Sequence, residues 1–372
     1  MGAMAWLTVA AVGAWRITEL FEPDGVPASL ADITVLIPAR NEAQTLGVCL
    51  HALVAQGADL QIVVVDDQST DSTLQIARSA LNGRGEVIAG APLPKGWVGK
   101  LWALEQGRRA VKTRFVLLLD ADISLTPGVV AGLHKKMQQQ QLALASLMVD
   151  LPTQCLAEKL LIPAFVFFFK LLYPFELSNN PRFTRIAGAA GGCILLDTHA
   201  LDQIGGFASL RDALIDDCTL AARIKAQGFR TWIGLTHSAR SLRGYDGFMP
   251  IGNMIARSAF SQLRFSPLLL LAVTAVFGIM FLLPPLGMLL ASGAALWLAL
   301  LTWVAMVLLY LPLLAHYRLS MAWALAMPVI AAFYLGMTWL SAWRHWRGVN
   351  VRWKGRDYGK SLDSKPSSFF SP

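Results

Sequence analysis

Charged residues make up only 15% of this 372-residue chain, and residues 265–317 and 319–343 contain none. With 55% hydrophobic residues, so little charge excludes both a disordered chain and an ordinary soluble globule. Cysteine is also scarce: Cys49, Cys155, Cys193 and Cys218 form no CxxC pair and no Cys/His ligand spacing, so neither a zinc site nor a disulfide framework is indicated. The common nucleotide signatures are missing. No GxGxxG follows a strand, and Gly96-Trp-Val-Gly-Lys100 has neither the P-loop spacing nor its Ser/Thr. Asp67-Gln-Ser-Thr-Asp71 begins like a calcium loop, but Ser72 and Arg78 stand where that loop requires Gly and Glu. Acid is short relative to base, 24 residues against 32, for a net charge of +8. Basic residues beside apolar spans match anionic lipid rather than nucleic acid, so the lipid bilayer is the expected partner.

The apolar residues are unevenly placed, which predicts a folded domain followed by membrane helices. The uncharged stretch 265–317 would make roughly 80 Å of helix, against a bilayer core of about 30 Å, and so predicts two spans. Pro284-Pro285 is the expected break, giving helices near 267–283 and 286–312. The run 319–343 can span once more. Residues 1–21 read as an N-terminal membrane anchor in which Arg16 snorkels, because no Lys or Arg precedes the apolar run as in a signal peptide. Residues 160–175, aromatic but broken by Pro163 and Pro174, read as a membrane-surface helix or a buried core helix, and 247–265 as an interfacial helix. The tail 344–372 carries seven Lys/Arg against two Asp and is expected in the cytoplasm. Three full spans after a cytoplasmic domain would place it outside, so either 319–343 is re-entrant or the tail breaks the rule.

Residues 32–245 read as an α/β domain. Ile33–Ile37, Ile62–Val65 and Phe115–Leu119 are short β-branched or apolar runs of the kind buried in parallel sheets, and Leu46, Leu50, Leu53 and Val54 recur at helical spacing between the first two. Ligands in such sheets bind beyond the carboxyl ends of strands. Here those ends carry Pro38-Ala-Arg-Asn-Glu42, Asp66-Asp67 and Asp120-Ala-Asp122, with Asp216-Asp217 further along the chain. Two carboxylates at i and i+2 after a strand can hold Mg²⁺ or Mn²⁺, the remaining positions going to diphosphate oxygens and water. His199 and His237 have no ligand-spaced partner and read as surface or hydrogen-bonded residues.

Five motifs in order resemble the inverting family 2 glycosyltransferases over roughly residues 33–235. They are Ile37-Pro-Ala-Arg-Asn-Glu42, Val65-Asp-Asp-Gln-Ser-Thr-Asp71, Gly99-Lys-Leu-Trp-Ala-Leu-Glu-Gln-Gly107, Asp120-Ala-Asp122, and Asp216-Asp-Cys-Thr-Leu-Ala-Ala-Arg223 ending at Gly228. Glu105 departs from the usual Asn and Thr219 from the usual Asp. The resemblance implies an α/β, GT-A nucleotide-diphospho-sugar transferase domain, a mainly parallel sheet flanked by helices, joined to α-helical transmembrane segments. It implies that Pro38, Ala39, Arg40, Glu42, Asp66, Asp67, Lys100 and Asp120 bind the nucleotide-sugar, and that Asp122 with Asp120 holds Mg²⁺ or Mn²⁺. Asp217, beside Asp216, falls at the base position. One base and no enzyme nucleophile imply a single displacement with inversion. A UDP-sugar is the expected donor. On the acceptor side stand Gly191 and Gly192, which a tight turn explains equally, and Arg257, which a lipid-phosphate contact explains more simply.

Leu93-Pro-Lys-Gly-Trp-Val-Gly-Lys100 and Trp353-Lys-Gly-Arg-Asp-Tyr358 resemble the hopene-associated bacterial glycosyltransferases, which implies a membrane lipid acceptor in the hopanoid pathway and a multi-pass protein of the bacterial inner membrane with its catalytic domain in the cytoplasm. Two readings compete. A processive polysaccharide synthase would share the catalytic domain but usually has more spans and a QxxRW motif, which is not found. A non-catalytic nucleotide- or lipid-binding membrane protein would have no use for the complete carboxylate set.

Overall fold

The computed structural model describes residues 2–25, 29–211, 213, 216–349, 351–353 and 356–358. In chain order the elements are α1 (Gly2–Val12), β1 (Ile33–Ala39), α2 (Leu46–Val54), β2 (Gln61–Asp66), α3 (Thr73–Leu81), β3 (Glu86–Ala89), α4 (Gly99–Arg108), β4 (Phe115–Leu119) and β5 (Ile123–Leu125). Then follow α5 (Val129–Gln140), β6 (Leu142–Asp150), α6 (Leu156–Leu172), α7 (Phe175–Asn179), β7 (Cys193–Asp197), α8 (Thr198–Gln203), α9 (Asp216–Ala226) and β8 (Arg230–Ser241). The last are α10 (Phe248–Gln262), α11 (Pro267–Phe277), α12 (Leu283–Leu290), α13 (Gly293–His316), α14 (Met327–Trp346), β9 (Val351–Trp353) and β10 (Arg356–Tyr358). Two compact units result, one of residues 19–152 with 175–243 and one of 1–18, 153–174 and 244–372.

The first unit is built on one eight-stranded sheet, in the order β3-β2-β1-β4-β7-β6-β8-β5. All seven residues of β1 are buried, as a strand covered on both faces requires. The four strands β3, β2, β1 and β4 are parallel; β1, β2 and β4 are the three runs read from the sequence, and β3 is added at the edge. The other half is mixed: β7 runs antiparallel to both β4 and β6, β8 runs parallel to β6, and β5 runs antiparallel to β8. The reversal at β7 matters for function. The start of β7 and the ends of β1, β2, β4, β6 and β8 all reach the same edge of the sheet, with Leu119 opposite Cys193.

Helices cover both faces. Leu46, Cys49, Leu50 and Leu53 of α2 line up one above the other at helical spacing and are buried. On α4, a Cβ at Gly107 would lie 2.2 Å from a Leu36 methyl and 2.8 Å from a Val65 methyl. The absence of a side chain there lets α4 lie close against β1 and β2, which presents its first turn at the site edge.

The second unit holds three helical stretches long and apolar enough to cross a membrane: Pro267–Leu290, Gly293–His316 and Met321–Trp346. The first two differ from expectation in where they divide. Pro284-Pro285 does not break the chain, because a π turn over Gly278–Leu282 precedes α12 and accommodates the missing N–H groups; the break comes at Ala291, which is extended. The expected anchor 1–21 divides as well. Helix α1 stops before Gly13, whose φ is 74°, and its 11 residues extend about 16 Å, roughly half the bilayer core. Its Trp6 is buried, donates from Nε1 to the Met280 carbonyl at 3.1 Å and meets the Phe167 and Phe281 rings. Residues 19–21 belong to the sheet unit, where the Phe21 N–H donates to the Leu235 carbonyl at 2.8 Å.

The segment 160–175 takes the core form of its two readings. Helix α6 runs through Pro163, buries Leu161, Ile162, Val166 and Phe167, and accepts the Tyr334 hydroxyl on the Leu161 carbonyl at 2.7 Å. Glu158 begins this helix by accepting the Gln154 and Cys155 N–H groups at 2.8 and 3.1 Å. The expected interfacial segment forms α10, which buries Ile251, Ile255 and Phe260 and exposes Phe248 and Met249. In the tail, β9 and β10 pair as a hairpin, and the remaining positions of 344–372 beyond Val349 lie outside the described residues.

Leu117 sits fully buried at the centre of β4, between β1 and β7. Leu117→Ala is expected to destabilise the sheet unit by about 2–5 kcal/mol. Labelling of the buried Cys49, Cys193 and Cys218 by a thiol-reactive dye on heating measures it: a lower midpoint is expected, and an unchanged midpoint contradicts a central packing role.

Candidate active site

Two loops at the edge of the sheet are laced into one wall. The Arg40 guanidinium donates to the Asp67 and Gln68 carbonyls at 2.5 and 3.0 Å. The Asn41 N–H donates to Ser69 Oγ at 3.0 Å, the Glu42 N–H to Thr73 Oγ1 at 2.8 Å, and the Thr70 N–H to Asn41 Oδ1 at 2.9 Å. The Asp67 N–H donates to the Ala39 carbonyl at 2.7 Å, and Pro38 stands opposite Val65 in the sheet. Ser69 thus fastens the two loops, and so does Asp71, which accepts the Ala43 N–H at 3.3 Å and the Thr73 N–H at 3.0 Å. Asn41 and Gln68 carry positive φ values of 51° and 56°, which this interlock holds in place.

Within the wall, Asp66 and Asp67 are buried. Asp66 Oδ2 accepts the Ser69 N–H at 3.3 Å, whereas Asp66 Oδ1 is buried without a partner among the described residues. A buried acceptor left open at a sheet edge is a place for a ligand's N–H or O–H.

The neighbouring strand ends bring carboxylates and cations together. Lys100, in the first turn of α4, pairs with Asp120 at 2.6 Å and reaches the Gly191 carbonyl at 3.3 Å. The Asp120 N–H donates to the Gly192 carbonyl at 3.1 Å, so the β4 end and the turn into β7 are one structure. Asp217, in the first turn of α9, accepts the Gly191 N–H on Oδ2 at 2.8 Å. A Cβ at Gly191 would lie 3.2 Å from that oxygen and 3.4 Å from Lys100 Nζ, a close fit around this turn. Gly191 therefore orients the carboxylate of Asp217, while Gly192 buttresses Asp120.

Burial pushes the Asp217 carboxyl above the ordinary carboxylate range; Asp216 pushes in the same direction, and the Cys218 N–H, Lys100 and the Gly191 N–H pull back. Burial opposes the charge on Lys100, but Asp120, Asp216 and Asp217 together overcome it and hold the ammonium above the usual lysine range. The site thus contains a carboxylate with raised proton affinity next to a firmly charged lysine, a pairing of the kind that performs acid–base work.

Asp120 and Asp122 flank Ala121, and their side chains are 35% and 22% exposed. Among the described residues no group of three or more His, Cys, Asp or Glu side chains could hold a metal ion. Two accessible carboxylates fit Mg²⁺ or Mn²⁺ all the same, since those ions commonly take one or two carboxylates and complete their shell with substrate phosphates and water.

One residue of the site has no motif in the sequence. Arg243, two residues past β8, pairs with Glu42 and, at 3.4 Å, with Asp122. The available signal is positional: β8 is a largely buried strand with Trp232, Ile233 and Leu235 at its centre, and a cation just beyond its end reaches the edge where the acidic motifs gather. Glu105 pairs with Arg108 at 3.4 Å, which in turn pairs with Asp202. Arg257 lies exposed on α10, which belongs to the other unit. His237 sits 3.8 Å from Asp150, and the His199 N–H donates to Asp197 at 2.9 Å.

Comparison with known proteins agrees with this architecture. Residues 34–205 match the model for glycosyl transferase family 2. The mannosyltransferase of Pyrobaculum calidifontis, solved with GDP-Man and Mn²⁺, superposes with a TM-score of 0.53 at 18% identity, covering 92% of this chain and 97% of that one. A 4,4'-diaponeurosporenoate glycosyltransferase of Staphylococcus aureus is 35% identical over 92 residues, which is 25% of this chain and 24% of that protein. The chain therefore spans about a quarter of the length of this curated relative in the match. The fold is GT-A-like, a mixed sheet flanked by helices, and together with the family match it supports a glycosyl transferase family 2 domain over residues 34–205.

Proposed function

We propose that the protein is a membrane-bound inverting glycosyltransferase that moves a sugar from a nucleoside diphosphate donor to a lipid hydroxyl, with Asp217 as the base. The observation that carries this reading is the Asp217 carboxylate, raised in proton affinity and aimed by the Gly191 N–H at 2.8 Å, on the same sheet edge as the acidic wall of Asp66 and Asp67. The nucleoside lies against that wall, where Asp66 Oδ1 accepts one of its N–H or O–H groups. Lys100 and Asp120 face the diphosphate and the sugar. Asp122 with Asp120 would hold Mg²⁺ or Mn²⁺, which supplies positive charge to the departing diphosphate.

As the acceptor oxygen forms its bond to the anomeric carbon, Asp217 takes the hydroxyl proton and the bond from that carbon to the diphosphate oxygen breaks. The nucleoside diphosphate leaves with the bonding electrons. Asp216 raises the basicity of Asp217 by its charge. A single displacement inverts the anomeric centre.

The acceptor is read as a lipid because three helical stretches of the second unit are able to cross a membrane and α10 exposes Phe248 and Met249 for an interfacial position. That a relative is named for 4,4'-diaponeurosporenoate supports a membrane-soluble acceptor, and the resemblance over Leu93–Lys100 supports a hopanoid or its precursor in a bacterial inner membrane. UDP-sugars are the first donors to test, with GDP-sugars beside them.

Labelled sugar offered as UDP- and GDP-sugars to bacterial lipid extract with Mg²⁺ or Mn²⁺ is expected to enter the organic phase. Asp217→Asn is expected to lower that rate by about 10²- to 10⁴-fold with little change in donor affinity. Equal transfer by the variant contradicts the assignment of the base, and no transfer by the wild type from any donor contradicts the enzyme reading. The pH profile tests the same residue independently. The base works only when deprotonated, so kcat/KM should fall as pH drops through the raised Asp217 value, placing the acidic limb above the ordinary carboxylate value of about 4. A limb at or below that value contradicts the raised proton affinity.

A further inference from the structure

Arg243 holds two carboxylates that come from different strand ends. Its Nη2 donates to Glu42 Oε2, on the loop after β1, and its Nε stands 3.4 Å from Asp122 Oδ2, on the loop after β4. The backbone beside it is fixed, since the Leu242 N–H donates to the Asp122 carbonyl at 2.7 Å and Ser241 pairs with Ile123. The Arg243 side chain remains 42% exposed, so it has room to change partners. Glu42 is also bonded to Thr45 Oγ1 at 3.1 Å, which holds its carboxylate in place while Arg243 moves.

On the reading given under Proposed function, Asp122 is a carboxylate that would hold the divalent cation. The same oxygen that faces Arg243 is then contested by two positive charges, and the guanidinium must leave Asp122 before a cation settles there. A guanidinium that loses a carboxylate seeks another planar oxygen pair, and a diphosphate supplies one with matching geometry. We propose that Arg243 is a further donor-site residue, whose charge guards Asp122 while the pocket is empty and passes to the diphosphate when a nucleoside diphosphate enters with its cation. Arg243 thereby couples the two binding events. Metal alone binds weakly because it must displace the arginine without compensation. Metal with nucleotide binds well because the displaced arginine gains a new anionic partner.

The opposed signs make this testable. Mn²⁺ binding to the purified full chain is measured by the paramagnetic resonance of free Mn²⁺, and binding of UDP and of GDP in saturating Mn²⁺ by calorimetry. Relative to wild type, Arg243→Gln is expected to bind Mn²⁺ alone about tenfold more tightly and the nucleotide about tenfold more weakly, within the usual range of coupling between sites. Arg243→Lys keeps the charge without the planar fork, so its Mn²⁺ affinity should stay near wild type while the nucleotide still binds more weakly. A merely structural ion pair would weaken both ligands in Arg243→Gln. That result, or unchanged Mn²⁺ affinity, overturns the proposal while leaving the donor reading intact. Failure of the wild type to bind either nucleotide in Mn²⁺ overturns the donor reading itself and this proposal with it.

Discussion

Everything at the site depends on holding many carboxylates at one edge of one sheet. Glu42, Asp66, Asp67, Asp120, Asp122 and Asp217 come from four separate parts of the chain, and like charges so gathered repel one another. The fold restrains them with two cations and a set of backbone donors. Lys100 is held by Asp120 and the Gly191 carbonyl, Arg243 spans Glu42 and Asp122, and the Gly191 N–H secures Asp217. Such an edge is prepared for ligands that bring their own positive charge and oxygen donors, as a divalent cation with a nucleoside diphosphate does.

The sheet topology is what makes the gathering feasible. Parallel strands β1, β2 and β4 deliver three acidic loops to the same edge, and the reversal of β7 returns the Gly191-Gly192 turn to it. Parallel pairing of β8 with β6 then brings Arg243 to the same place. A glycine at 191 lets the turn approach both Lys100 and Asp217, and a glycine at 107 lets α4 approach the sheet closely enough to aim Lys100.

Much of this is legible in the sequence because the relevant signals are local. The apolar run Phe115–Leu119 coincides with β4, and Asp66-Asp67 and Asp120-Ala-Asp122 fall where strands end. What local patterns do not carry is contact between distant positions. Arg243 has no motif, and only the pairing of β8 with β5 and β6 places it near Asp122, more than a hundred residues earlier. The antiparallel β7 reads as apolar in the same way as its parallel neighbours, since burial on both faces gives the same composition for either direction. In the second unit, Pro284-Pro285 is a helix breaker by local rules, and a π turn immediately before it removes the conflict. The terminal helix α1 is apolar like a membrane anchor, and Gly13, at a φ of 74°, ends it well before Phe21.

The central claim is that one carboxylate, Asp217, takes the acceptor proton while the sugar passes directly from donor to acceptor. The stereochemistry of the first product tests it most directly. The glycolipid formed from an α-linked nucleotide-sugar is extracted at early times and its anomeric proton coupling is read by nuclear magnetic resonance. A single displacement gives the β-linked product. An α-linked product would require a second carboxylate acting as nucleophile and would contradict the account.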